Sequence, residues 1–186
     1  MHVALRLQKR MPELRERRAY NALRYVFARY IGHADFRVVH ISIQNTHLHL
    51  IVEAEDKAAL SRGMQSLAIN AARGINRAWR RRGKVFACRY SAKQIKTASY
   101  ARNAISYVLN NWRRHREDFA NGRQLTAILD EFSSAISFTG WRRNQRFTPP
   151  RDYDPLPVSS PITALLRQEW RRFGAIDPFT CPGPLR

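Results

Sequence analysis

Two histidines one residue apart are the residues of this sequence whose types and spacing most directly suggest chemistry. His47 and His49 lie in the segment NTHLHLIVEA (45–54). Alternate side chains of a β-strand share a face, so both imidazoles would project from the face opposite Leu48 and Leu50, with α-carbons roughly 6.5 to 7 Å apart. Two imidazoles at that separation can converge on one metal ion or grip one phosphate. Ordinary surface histidines are the alternative, and a metal site would need a further ligand.

A helix later in the chain carries candidate partners for these histidines. In the segment SYARNAISYVLNNWRRH (99–115), an apolar stripe recurs at helical spacing through Ala101, Ala104, Ile105, Val108, Leu109 and Trp112. Tyr107 and Asn111 lie off this stripe, four residues apart and therefore one turn apart on the same face. A phenolic hydroxyl and a carboxamide would project side by side there. For the helix taken alone, a half-buried tyrosine beside a solvated asparagine is the alternative.

The periodicity of the chain predicts the elements that would position these side chains. In chain order they are a strand (2–7), a helix (about 12–31), two strands paired as a hairpin (36–43 and 45–54), a long helix (about 57–83), a strand (84–95) and a helix (97–115). The order β-α-β-β-α-β-α predicts an α+β protein with a ferredoxin-like antiparallel sheet and packed helices.

Beyond Gly122 the pattern weakens. The segment LTAILDEF (125–132) favours a helix, and a proline-rich stretch follows within 142–160. Ser160, with Pro161 after it, predicts a last helix over 161–173. We therefore divide the chain into a main domain (1–141), a proline-rich linker (142–160) and a short C-terminal helix and tail (161–186).

The charge balance predicts a polyanionic partner. The chain has 33 lysines and arginines against 14 aspartates and glutamates, a net charge of +19. Nucleic acid is the first candidate and an anionic membrane surface the second, and arginine suits phosphate because its planar fork binds two oxygens. Candidate DNA-binding residues are a stripe on the long helix and one residue of the tyrosine helix: Arg73, Arg77, Arg80, Arg81 and Arg114. A merely solvated basic face is the alternative for the stripe.

Several other classes of protein are not indicated. Cys88 and Cys181 lie far apart and fit neither a disulfide framework nor a zinc knuckle. The sequence contains no apolar run of the length of a membrane span, and its first residues lack the apolar stretch of a signal peptide. We therefore expect a cytoplasmic protein with reduced thiols and no membrane partner.

Together, the two motifs resemble those of the HUH single-tyrosine transposases, particularly the branch of REP-associated tyrosine transposases. The His-hydrophobic-His strand of that family corresponds to His47-Leu48-His49. The Tyr-hydrophobic-x-x-Asn/Gln pattern of its later helix corresponds to YVLNN, from Tyr107 to Asn111. The resemblance covers about residues 2–115. One departure is Thr46, which precedes the first histidine where many relatives have Asn or Asp.

The resemblance implies a single-strand endonuclease and strand transferase that acts on DNA, typically on a hairpin with a flanking single-stranded cleavage site. It implies that His47, His49 and Asn111 bind Mg²⁺ or Mn²⁺ and that Tyr107 is the nucleophile. Attack by Tyr107 would leave a 5′-phosphotyrosine and a free 3′-hydroxyl, and no nucleotide cofactor would be needed. A bacterial protein associated with the nucleoid when bound to DNA is implied, and a homodimer of this chain stays open because members of the family can be dimers.

Three other functions stay open at this point. The chain could be a catalytically silent DNA-binding protein derived from a transposase, which Tyr107→Phe would distinguish because binding alone does not need the hydroxyl. It could be an RNA-binding ferredoxin-like module, although the predicted sheet lacks paired aromatic residues on neighbouring strands. A zinc hydrolase that uses the His-x-His pair would be indifferent to Tyr107.

Overall fold

Alternating apolar residues in the first half of the chain form an antiparallel sheet. The structure is a computed structural model that describes residues 1–120, 123–124, 127–142 and 151–183. The sheet strands are β1 (His2–Arg6), β2 (Phe36–Ile43), β3 (His47–Ala54) and β4 (Ser91–Lys93). Their spatial order is β2-β3-β1-β4, and each neighbouring pair is antiparallel. The helices packed on it are α1 (Arg17–Ala28), α2 (Lys57–Ala78) and α3 (Ala98–Arg114). The predicted α+β, ferredoxin-like layout is confirmed.

The central strand β3 separates two hydrophobic cores. Leu48, Leu50 and Val52 belong to the larger core, which α1 and α2 cover. Ile51 belongs to the smaller core, which α3 and the C-terminal segment cover. Because side chains alternate along a strand, His47 and His49 share the face of Ile51 and lie on the α3 side of the sheet.

Three of the elements predicted before residue 96 differ from their predicted bounds, and one of them is the long helix predicted to about residue 83, which ends at Ala78. The helix predicted from residue 12 begins at Arg17, because the backbone N–H of buried Leu14 donates to Asn45 O at 2.9 Å and holds the preceding segment against the hairpin. The strand predicted over 84–95 is wrong for most of its length, since only Ser91–Lys93 pair with β1. Phe86 forms one isolated bridge, and the bend over 87–89 then interrupts the pairing.

The predicted helix over 125–132 is also wrong for its described part. Leu125 and Thr126 lie outside the described residues, and 127–132 form bends and turns. The carboxylate of Asp130 accepts from the N–H of Phe132 and from Arg15, which gives the backbone an alternative to helix. A two-stranded ladder, β5 (Phe119–Ala120) and β6 (Arg123–Gln124), precedes this segment, and a 3₁₀-helix (Ser134–Ser137) follows it.

The last predicted helix, over 161–173, is replaced by two shorter pieces. These are α4 (Ala164–Arg167) and a 3₁₀-helix (Glu169–Phe173). The buried carboxylate of Glu53 in β3 accepts hydrogen bonds from the N–H groups of Ile162 and Thr163, at 2.8 and 2.9 Å. Because these bonds tie the segment to the sheet, the helix begins after Thr163 rather than at Pro161.

The proline-rich segment lies along α1 where it is described. Tyr20 of α1 donates its hydroxyl to Asp154 O at 2.6 Å, Arg24 donates to Pro155 O, and Leu156 is buried in the larger core. The rest of the segment, 143–150, lies outside the described residues. The division into a domain (1–141), a linker (142–160) and a C-terminal piece (161–186) stays a prediction.

His40 of β2 gives the fold a dependence on pH. Its Nδ1 lies 3.4 Å from Ser134 Oγ, its ring packs against Phe138, and burial lowers its pKa from 6.5 to about 4. As the pH falls, the His40 imidazole is therefore protonated in the unfolded chain at a higher pH than in the folded protein. The contribution to stability is present above pH 6.5 and is lost as the pH falls toward 4.

The free energy of unfolding should fall in both the wild type and His40→Gln when the pH is lowered from 7 to 5. We expect the decrease to be about 1–2 kcal/mol smaller in His40→Gln than in the wild type, because the variant lacks the titrating imidazole. The measurement is urea-induced unfolding of both proteins at the two pH values. Equal losses in the two proteins would contradict this account of His40.

Candidate functional site

Aromatic side chains from three elements meet on the α3 side of the sheet. The ring centroids of His47 and His49, both on β3, are 4.6 Å apart, and the centroids of His49 and Tyr107 of α3 are 5.2 Å apart. His2 of β1 joins the cluster, with its ring 5.2 Å from His49 and 5.6 Å from Tyr107. The pair of histidines that sequence spacing singled out on this strand therefore lies directly beside Tyr107.

One face of α3 presents three polar side chains to the histidine strand. Tyr107, Asn111 and His115 follow each other at intervals of four residues, which places them one above the other along the helix. The ring of His115 lies 4.9 Å from that of His47, while Tyr107 contacts His49. Asn111 lies between these two residues along the helix, one turn from each, and therefore on the same helix face.

The side chain of Asn111 is fully buried, and within the described ranges neither its Oδ1 nor its Nδ2 has a hydrogen-bond partner. Its neighbour Asn110, by contrast, donates to Asp177 O at 3.0 Å. A buried polar atom left without a partner costs about 1–3 kcal/mol. Such a cost in a polar cluster points to an occupant that Asn111 would bind, and the Oδ1 atom is a suitable donor for a hard cation.

Each motif histidine has its Nδ1 engaged by a neighbour. His47 Nδ1 lies 3.1 Å from Thr46 Oγ1, and His49 Nδ1 lies 3.1 Å from His2 Nε2. Among the described residues neither Nε2 atom has a hydrogen-bond partner. Thr46, the departure from the family pattern, thus supplies a hydrogen-bonding oxygen to the first histidine, and both Nε2 atoms are left for a ligand.

The motif histidines are neutral at physiological pH. Burial lowers the pKa of His47 to about 4, with smaller contributions from His115 and Arg6. Burial and the adjacent imidazoles lower the pKa of His49 further, to about 2. Neutral imidazoles keep the lone pair that a metal ion requires, so the chemistry of this donor set fits a divalent cation.

The tyrosine itself is protonated and half-buried. Burial raises the pKa of Tyr107 above 10, and the nearby charge of Arg114 acts in the opposite direction. The Tyr107 hydroxyl makes no hydrogen bond to the part of the chain that the structure describes. Its oxygen is thus available to a substrate, but a phenol of this pKa is a weak nucleophile unless positive charge is brought close to it.

A buried ionic network fixes the turn before the histidine strand. Arg15 binds the carboxylate of Asp130 with two hydrogen bonds and donates to Ile43 O at 3.0 Å. The N–H of Asn45 donates to Glu117 Oε1 at 2.8 Å, and burial raises the pKa of Glu117 to about 7. Because Glu117 follows the tyrosine helix closely, this contact ties the start of β3 to the end of α3.

The candidate DNA-binding arginines lie away from this cluster or contact the protein itself. Arg73 and Arg77 line a groove of about 450 Å³ between α1 and α2, on the opposite face of the sheet. Arg80 and Arg81 follow the end of α2, and Arg81 donates to Asn76 Oδ1 at 2.8 Å. Arg114 is close to the cluster, but it donates to Pro182 O at 3.2 Å.

Sequence patterns did not single out His2 and His115. The signal for His115 was present, because it lies four residues after Asn111 and eight after Tyr107. The position of His2 depends on strand register, since β1 pairs with β3 so that His2 is opposite Ile51. No spacing along the chain shows that pairing.

The predicted ligand set is not a cluster of three histidine, cysteine or acidic side chains. In the described ranges, no three or more histidine, cysteine, aspartate or glutamate side chains are grouped so that they would hold a metal ion. The set His47, His49 and Asn111 has only two members of those types, and its third ligand is a carboxamide.

The fold and the cluster define a class of protein: a ferredoxin-like sheet with a His-x-His strand facing a helical tyrosine is the arrangement of the single-tyrosine HUH transposases. A comparison with family models agrees. The model described as "Transposase IS200 like" matches residues 1–111 of the 186, so the chain belongs to the IS200-like transposase family. A search of the curated proteins finds no match. None of the described helices is long and apolar enough to cross a membrane.

Proposed function

We propose that this protein cleaves and rejoins single-stranded DNA with Tyr107 as the nucleophile. The observation that carries the proposal is the buried carboxamide of Asn111, which has no hydrogen-bond partner among the described residues. It lies on the helix face whose Tyr107 and His115 contact the two neutral imidazoles. Membership of a transposase family makes DNA the partner. These side chains support the cleavage and rejoining of the DNA strand that we propose.

Cleavage would proceed by transfer of a phosphodiester to the tyrosine. Tyr107 Oη forms a bond to the phosphorus, the bond from phosphorus to the 3′-oxygen breaks, and the phenolic proton ends on that oxygen as a free 3′-hydroxyl. The DNA is left joined to the protein as a 5′-phosphotyrosine. Attack by another 3′-hydroxyl reverses the step and rejoins the strand, with no external energy source.

His47, His49 and Asn111 would hold a divalent ion, Mg²⁺ or Mn²⁺. When bound, the ion supplies positive charge to the phosphate and favours the phenolate form of the tyrosine. The protein residues do the rest. The two histidines offer their Nε2 atoms, Asn111 offers its Oδ1, and burial of the cluster limits access of water.

A labelled oligonucleotide assay tests the proposed function. Single-stranded DNA hairpins with flanking sequence, including repeats next to the gene, are incubated with the protein in Mg²⁺, Mn²⁺ or EDTA and separated on denaturing gels. We expect cleavage and a protein–DNA adduct only with a metal. Hairpin binding without cleavage in either metal would instead establish a catalytically silent DNA-binding protein.

The basic groove between α1 and α2 is the proposed contact for the DNA backbone. Arg29, Arg73 and Arg77 line it, and in the described part of the chain none of the three belongs to an ion pair. The groove and the histidine cluster lie on opposite faces of the sheet. A duplex is too stiff to follow both faces, with a persistence length of about 50 nm, so a single-stranded segment would have to reach the cluster.

Arg73→Ala and Arg77→Ala are each expected to weaken DNA binding and to reduce the slope of log K against log salt by about 1, because each removes one phosphate contact. The measurement is a fluorescence anisotropy titration of a labelled hairpin at several salt concentrations. The matched control is Arg142→Ala, which removes an arginine paired with Asp177 on the α3 side. Equal effects of all three substitutions would argue against the groove.

A further inference from the structure

His2 makes a contact that the proposed function does not yet use. Its Nε2 lies 3.1 Å from Nδ1 of His49, and the two imidazole planes are inclined by only 18°, with their centroids 5.2 Å apart. We propose that His2 is a positioning residue that fixes the tautomer and orientation of His49, so that the Nε2 lone pair of His49 faces the metal ion. This inference rests on the proposed function, because it assigns His49 as a ligand.

The direction of the hydrogen bond follows from the chemistry of imidazole. A neutral imidazole carries one proton, so one ring of the pair donates and the other accepts. If His2 donated, His49 would carry its own proton on Nε2 and would have no lone pair there for a metal. If His49 donates from Nδ1, its Nε2 is free and His2 accepts with its own Nε2. Only the second arrangement is compatible with His49 as a ligand through Nε2.

The surroundings of His2 keep the acceptor in place. The His2 ring contacts both His49 and Tyr107, and its centroid lies 5.6 Å from that of the tyrosine at an interplanar angle of 76°. The backbone adds to this constraint, because β1 and β3 are paired through this region, with Ala4 opposite His49.

Thr46 and His2 therefore have the same role toward the two motif histidines. One supplies an oxygen to Nδ1 of His47, and the other supplies a nitrogen to Nδ1 of His49. Hydrogen bonds of this kind, made to the ring nitrogen away from the metal, typically change metal affinity by about 10- to 100-fold. A purely structural role for His2 predicts no such change as long as an aromatic ring fills the space.

Two variants separate positioning from packing. His2→Phe keeps a ring against His49 and Tyr107 but has no acceptor, whereas His2→Gln loses the ring but retains an acceptor oxygen. We expect His2→Phe to bind Mn²⁺ about 10- to 100-fold more weakly than the wild type, and His2→Gln to bind close to the wild type. The readout is Mn²⁺ binding followed by electron paramagnetic resonance, with thermal melts to confirm folding.

The tautomer of His49 is measured directly in the metal-free wild-type protein, and then in His2→Phe for comparison. Proton–nitrogen correlation spectra of ¹⁵N-histidine protein, assigned with His49→Gln, distinguish Nδ1–H from Nε2–H. We expect Nδ1–H on His49 in the wild type and a mixture of tautomers in His2→Phe. A proton on Nε2 of His49 in the wild type would overturn the inference, and so would a wild-type Mn²⁺ affinity in His2→Phe. If His2→Phe does not fold, the tautomer of His49 in the wild type alone decides between the two outcomes. Failure of the proposed function is recognised separately, as Mn²⁺ binding that His49→Gln does not reduce.

Discussion

Tyr107→Phe is expected to abolish strand cleavage and the covalent adduct and to leave the binding of a DNA hairpin unchanged. The substitution removes one oxygen, which is the atom proposed to attack the phosphorus, and leaves the ring that contacts His2 and His49. Loss of a nucleophile that forms a covalent intermediate typically lowers the rate by at least about 10³-fold. The measurements are a denaturing gel for cleavage and an anisotropy titration for binding.

Tyr100→Phe is the matched control for this prediction. Tyr100 lies on α3 seven residues before Tyr107, and its buried hydroxyl makes no hydrogen bond to the residues that the structure describes. Removing that hydroxyl deletes the same atom from the same helix, and cleavage should persist. Cleavage by Tyr107→Phe at the wild-type rate would place the nucleophile elsewhere and would favour a hydrolase that is indifferent to the tyrosine.

Trp170→Ala is expected to cost about 3–5 kcal/mol of the free energy of unfolding. Trp170 lies in the C-terminal 3₁₀-helix, is only 2% exposed and stacks on Phe138 with centroids 5.6 Å apart. It belongs to the core beneath α3, together with Ile105 and Leu109. Truncation therefore leaves a cavity against the helix that carries Tyr107. Urea-induced unfolding of variant and wild type gives the difference.

Phe173→Ala is the corresponding control in the same 3₁₀-helix. Phe173 is 53% exposed, so its truncation is expected to change stability by no more than about 0.5 kcal/mol. Similar small losses in both variants would mean that the C-terminal segment is not part of the folded core. A large loss in Trp170→Ala alone would show that residues after the proline-rich stretch support the tyrosine helix.

Elements dominated by local periodicity could be predicted from the sequence. The β-branched run 36–43 coincides with β2, and the apolar stripe of 97–115 gives α3 within one residue at either end. The candidate site follows from the same rules. Alternation puts His47 and His49 on one face, and the interval of four residues puts Tyr107 and Asn111 on another, so only the meeting of these two faces had to be supplied by the fold.

Features that depend on pairing between distant segments could not be predicted. The contact of His2 with His49 follows from the register of β1 against β3, and strand order is not written in local spacing. The late start of the C-terminal helix reflects the hydrogen bond from the N–H of Thr163 to Glu53, which is more than a hundred residues away in the sequence. The arginine stripe was visible, but its position on the face opposite the histidines was not.

Identification of the amino acid joined to DNA is the most direct test of the central claim. The wild-type protein is incubated with a hairpin substrate and Mn²⁺, digested with nuclease and protease, and analysed by mass spectrometry. The account predicts a 5′-linked nucleotide on the peptide that contains Tyr107, absent when EDTA replaces the metal. A nucleotide on another residue, or cleavage with no protein-linked product, would contradict it.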